Sequence, residues 1–243
     1  MNAKIRLTKL TAHKSQLNAP DGRTINVLII PVALNKLEYI DENTIRLNFI
    51  CFEKQMNDTS PETHILKQDF TDEQKKTLTK DYTDSLPILG NLIDWDKAKN
   101  RPITHHTSLI TGHINLRKLQ GILRKYRLKN GEYTECVVIN TDKNYLYHHD
   151  NGDLSLELVM FKIKTPKGSA THNIKLNVPK EVYDAMSEQE RNEVPFLGSA
   201  RFKVIQPQAN NDTELEKLMP TDLDHFQSLE TDFPAEYHDD LPF

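Results

Sequence analysis

The chain is poor in several residue types: it has two cysteines, one tryptophan and eight glycines in 243 residues, and no long apolar run. Cys51 and Cys136 stand apart in apolar stretches. They form no zinc-type pair, so each reads as a buried free thiol. No segment approaches the ~20 apolar residues of a membrane helix, so no membrane association is expected. Residues 1–7 carry basic and apolar residues in alternation rather than an apolar signal core, which makes the cytoplasm the expected compartment. A Gly-rich phosphate loop and a G-x-S-x-G elbow are both missing.

Candidate catalytic sets also fall short. His105, His106, His113, His148, His149 and Asp150 are metal ligands by type, but no His-x-His or Cys-x-x-Cys spacing joins them. Asp153, Glu157 and Lys162 resemble a nuclease carboxylate–lysine set, yet Glu157 and Lys162 fall on opposite faces of a regular strand. The expectation is a protein that is not an enzyme and needs no metal or cofactor.

What the chain has is a partition of charge. Residues 212–243 hold ten acidic residues against Lys217 alone, a charge of −9 within a total of −4, so the remainder carries +5. A basic body with an acidic tail suits a polyanion binder that regulates itself. An acidic tail that only solubilises is the plainer alternative.

Along the body, strand signals dominate. Ile5 and Leu7 alternate with Lys4 and Arg6, and an apolar β-branched strand covers Ile25 to Val32. A hairpin turns at Asp41-Glu42-Asn43 and continues into Thr44 to Phe52. Residues 54–69 read as a loop, and Thr71 or Asp72 caps a helix running to about Tyr82. Trp95, flanked by Asp94 and Asp96, reads as a packing anchor. Leu116, Leu119, Leu123 and Tyr126 stand at helical spacing, predicting a helix over 114–128 whose other face is basic. Further strands are expected at 132–140, 144–147, 154–163, 173–178 and 199–205, with a helix opened by Pro179 and a capping box at Ser187 and Glu190. No internal repeat is legible. The fold class is mainly β with short helices, in antiparallel arrangement, with residues 1–206 as the body and 207–243 as a disordered acidic tail.

The chain closes with Asp239, Asp240, Leu241, Pro242 and Phe243. Pro242 fixes its own φ and biases Leu241 to an extended form, so less entropy is lost when the tip docks. This ending resembles the acidic tip of bacterial and phage single-stranded-DNA-binding proteins. The resemblance implies an OB-fold-like barrel, here enlarged by insertions, that coats ssDNA in replication, recombination or repair. It also implies that Asp239 to Phe243 recruit replication and repair proteins. Such a body needs cations for phosphates and rings for bases. Lys4, Arg6 and Lys9 form one candidate group, and Arg46 with Phe52 a second. Arg124, Lys125, Arg127, Tyr133, Tyr145, Tyr147 and Lys162 form a third. Homo-oligomerisation is compatible with this reading. The competing one is an adaptor or inhibitor that uses the same tip on a host repair protein and binds no DNA.

Overall fold

The computed structural model describes residues 1–19, 22–54, 60–99, 107–128, 131–166 and 168–205. The tail after Ile205, with the tip Asp239–Phe243, and the His105-His106 pair lie outside the described residues.

The first half begins with β1 (Asn2–Arg6), a 3-10 turn (Leu7–Lys9), β2 (His13–Asn18) and β3 (Thr24–Pro31). It continues through β4 (Glu38–Asp41), β5 (Thr44–Glu53), β6 (His64–Gln68), α1 (Asp72–Thr77), α2 (Lys80–Asp84) and β7 (Ile88–Ile93), and α3 (Trp95–Lys99) follows. The second half repeats this order: β8 (Thr107–Asn115), a 3-10 turn (Leu116–Lys118), β9 (Ile122–Arg127) and β10 (Tyr133–Asn140). Then come β11 (Tyr147–His148), β12 (Leu154–Lys162), β13 (His172–Leu176), α4 (Lys180–Ala185), α5 (Glu188–Glu193) and β14 (Phe196–Ile205).

Eight of these strands close an antiparallel barrel in the order β1-β7-β6-β5-β8-β14-β13-β12, with β12 pairing back onto β1. The mainly β class and the antiparallel barrel expected of the body are therefore present. The barrel's size comes from a second copy of one motif. Four strands come from each half, and the seams β1–β12 and β5–β8 are counterparts: Ile5 faces Leu156 in one and Leu47 faces Ile114 in the other. Hairpins β4 and β11 extend from β5 and β12. A second sheet, β2-β3-β10-β9, is centred on the pairing of Ile29 with its own counterpart Val138. A pseudo-two-fold axis thus passes between those two residues.

The two halves agree in side-chain detail. Asn35 donates to the Pro31 carbonyl at 2.7 Å and Asn144 to the Asn140 carbonyl at 2.8 Å, each closing the turn after the long central strand. The next residues, Lys36 and Tyr145, both take left-handed φ values of 47° and 50°. Such values cost an L-residue energy and persist only where the surrounding turn holds them. Thr63 Oγ1 lies 2.8 Å from His64 Nδ1, and Thr171 Oγ1 lies 2.9 Å from His172 Nδ1. The hydroxyls of Thr63 and Thr171 also donate to the Leu92 and Ala200 carbonyls. Gly90 and Gly198 stand where a Cβ would strike the carbonyls of Lys4 and His113, so each lets its strand close on its neighbour. The expectation of no internal repeat is corrected by these pairs.

The core fills the barrel. Ile5, Leu47, Phe49, Ile114, Leu156, Leu158 and Ile174 are fully buried and belong to one cluster, which Leu28, Ile30, Val137 and Ile139 of the smaller sheet join. Strand alternation sends the intervening residues of β5 and β1 to the outside.

Four other expectations change, one being the strand expected over 144–147, which is a turn as far as Tyr145 followed by β11. Residues 114–128 form a strand end, a 3-10 turn and β9, not a helix. The helix expected over 71–82 is two short ones, each with its own threonine cap: Thr71 in a capping box with Gln74, and Thr79 accepting from the Tyr82 N–H. The loop expected over 54–69 contains β6, where His64 is buried.

Candidate functional site

Outward-facing residues of adjacent barrel strands meet as cross-strand rows. Around β1 the rows are Tyr147–Ser155–Arg6 and Glu157–Lys4–Asn91. Arg6, Glu157, Lys4 and Asn91 of these rows line a groove of about 350 Å³ together with Asn2, Trp95, His149 and Asn177. Lys4 Nζ lies 3.0 Å from Glu157 and 4.7 Å from the centre of the Tyr147 ring. Tyr147 meets His149 edge-on at 4.8 Å, and His149 Nε2 lies 2.7 Å from the Ser155 hydroxyl. Among the described residues no carboxylate pairs with Arg6.

Trp95 stands at one end of this groove, 43% exposed, with its indole N–H donating to Asn2 Oδ1 at 3.4 Å. The packing role expected of it leaves much of the indole exposed. The neighbouring Asp94 is 7% exposed, and its carboxylate accepts from the Asp96 N–H at the start of α3. Residues such as Asn2, Asn91 and Asn177 carried no sequence signal, because their convergence depends on strand register.

The pseudo-axis generates a second groove on β5, β8 and β14, of about 340 Å³. The row Asn48–His113–Ser199 lines it and the row Glu38–Arg46–Asn115 runs alongside, the counterparts of the two rows above. The chemistry has diverged. His113 stands where Lys4 stands, and Asn48 replaces Glu157. Burial pushes the His113 pKa below its ordinary value, the Arg46 charge adds to the drop, and Glu38 opposes it. Arg46 Nη1 lies 3.8 Å from Glu38, whose Oε2 also accepts from the Asn48 amide at 3.0 Å. Arg201, on β14, is exposed at the groove's edge.

The sequence-derived groups divide as follows. Lys4 and Arg6 come together in the first groove, with Tyr147 beside it against Lys4. Arg46 flanks the second, with half-buried Phe52 on the same outer face at the far end of β5. Lys9 leaves the first group and pairs with Asp153 at 3.5 Å. Arg124, Lys125, Arg127 and Tyr133 share the β9–β10 ribbon, where Arg127 stands opposite Tyr133 and Lys125 lies 4.0 Å from Glu135. Tyr133 is 67% exposed. Tyr145 shares no strand face with Tyr147: it occupies the left-handed turn position and packs against the core. Lys162 ends β12 opposite His172, away from both grooves.

Among the described residues no group of three or more His, Cys, Asp and Glu could hold a metal ion, and no helix is long and apolar enough to cross a membrane. Cys51 is sealed in the barrel, and burial raises the Cys136 thiol to about 12. No family model matches the chain, and no curated protein and no solved structure matches it either.

Proposed function

We propose that the chain is a cytoplasmic single-stranded-DNA-binding protein of phage or bacterial type, without strong sequence preference. Its body holds and protects ssDNA during replication, recombination or repair, and Asp239 to Phe243 recruit partner enzymes. It acts by binding, without catalysis or cofactor. The observation that carries the reading is the first groove. There Lys4 and Arg6 of β1 share a groove with the exposed ring of Trp95, and the exposed Tyr147 ring packs against the Lys4 ammonium at its side. Cations for phosphates beside rings for bases are the two ingredients of single-strand binding, each stacked base contributing ~1–3 kcal/mol. The asparagine amides offer sequence-tolerant hydrogen bonds around them. The acidic tip after a basic body supports the same reading.

Trp95 is the one tryptophan of the chain, which makes it a reporter. Titration with oligo-dT is expected to quench its fluorescence saturably, with duplex DNA a poor competitor. An oligonucleotide that binds tightly yet leaves Trp95 fluorescence unchanged would remove this groove from the binding site.

One observation favours the adaptor reading. Lys4, Lys9 and Arg46 are already paired with Glu157, Asp153 and Glu38, so the cationic surplus of the outer face is small. The adaptor predicts no ssDNA binding at any salt concentration, together with partner capture that Phe243→Ala abolishes.

A further inference from the structure

We infer that one chain carries two single-strand sites, one per groove, and that they hold nucleic acid in opposite directions. This inference rests on the binding reading proposed above and names the geometry of its site.

The starting point is the equivalence of the two grooves. Their volumes are about 350 and 340 Å³, and both are floored by the same strands of the motif, β1 and β7 in one copy and β8 and β14 in the other. The linings correspond by position: Asn2, Lys4, Asn91 and Glu157 of the first groove have Thr111, His113, Ser199 and Asn48 in the second. A site built on one is therefore repeated on the other, with substitutions. The first offers Lys4, Arg6 and Trp95. The second offers Arg201 and His113, with Arg46 in the adjoining row and the largely buried Phe70 in its wall. Each has cations for phosphate, and the exposed ring belongs to the first.

A two-fold axis fixes the relative direction. The antiparallel pairing of Ile29 with Val138 makes the halves related by rotation rather than translation. A strand that runs one way across β12, β1 and β7 therefore has its equivalent running the opposite way across β5, β8 and β14. Two short strands bind antiparallel to each other. One long strand occupies both grooves by winding half-way round the barrel past β6, which reverses its heading. The replacement of Lys4 by His113 weakens the second site, because burial and Arg46 favour the neutral ring there.

The test uses the full chain, titrated at low salt with an oligo-dT too short to reach both grooves, with the stoichiometry read by calorimetry. The expected result is two oligonucleotides per chain. Arg6→Glu with Trp95→Ala leaves one, and Arg46→Glu with Arg201→Glu leaves one, with circular dichroism reporting the fold of each variant. A longer oligo-dT labelled at both ends shows higher energy transfer on the native chain than on either variant.

One oligonucleotide per chain, unaffected by the Arg46 and Arg201 changes, overturns the second site and leaves the binding reading standing. One per chain that both variants abolish means a single composite site, and also overturns the inference. Unchanged energy transfer with two sites occupied contradicts the reversal of direction. No binding by the native chain defeats the binding reading and the inference together.

Discussion

At the scale of single residues, Gly90 and Gly198 are the sharpest constraint. Gly90→Ala and Gly198→Ala each drive a methyl into a neighbouring strand's backbone carbonyl, which cannot rotate away as a side chain can. Overpacking of this kind costs about 1–3 kcal/mol or more, and urea midpoints should fall in both variants. An unchanged midpoint would show that the strands separate freely there. Asp153 gives a second residue-scale prediction. Burial alone would raise its pKa, but hydrogen bonds from Thr8 and Asn151 and the charge of Lys9 outweigh it, and the carboxyl titrates below the ordinary value. A depressed folded-state pKa means stability that is present above the unfolded value of ~3.9 and is lost as pH falls through the folded value. Asp153→Asn should flatten the acid side of the stability–pH curve. His113 and His172 add to the acid sensitivity nearer neutrality. Both are held below the ordinary histidine value by burial first, so protonation below about pH 6.5 favours the unfolded chain.

At the scale of elements, local chemistry was legible where it is self-contained. The capping box of Ser187 and Glu190 opens α5 as its spacing indicates, with Ser187 accepting from the Glu190 N–H. Ser187→Ala should cost about 0.5–2 kcal/mol, seen as a lower thermal midpoint. The alternation of β5, with Ile45, Leu47, Phe49 and Cys51 inside, is also as the sequence implies. The failure over 114–128 has a definite cause. Leu116 and Leu119 belong to a 3-10 turn, while Leu123 and Tyr126 face opposite sides of β9, one towards the main core and one towards the small cluster around Val138. Four apolar residues at helical spacing arose from two turn positions and the two faces of an edge strand that packs apolar residues against both clusters. Such a strand loses the period of two by which strands are recognised.

At the scale of the whole molecule, the repeat was hidden because it is carried by geometry more than by identity. Leu7, Leu10, Leu37 and Leu47 recur as Leu116, Leu119, Leu146 and Leu156, but Leu is common and the intervening charged residues differ. The connection from β5 to β6 is also one residue longer than that from β12 to β13, which breaks any single period. The grooves were legible only in part, since Lys4, Arg6 and Tyr147 are brought together by register across β1, β11 and β12. If the halves are equivalent in packing, Leu47→Ala and Leu156→Ala should destabilise alike, by about 2–5 kcal/mol each. Denaturant unfolding of the two variants checks this, and a cost confined to one of them would mean that only that seam is close-packed.

The measurement that bears most directly on the account is the salt dependence of oligo-dT binding by the full chain, followed by fluorescence anisotropy beside the Arg6→Glu variant. Phosphate contacts release counterions, so log affinity should fall linearly with log salt, by about 0.7 per phosphate neutralised on a single strand. The account predicts that negative slope, made shallower by the loss of Arg6, with duplex DNA failing to compete. Binding that is absent, indifferent to salt, or equal for duplex would contradict it.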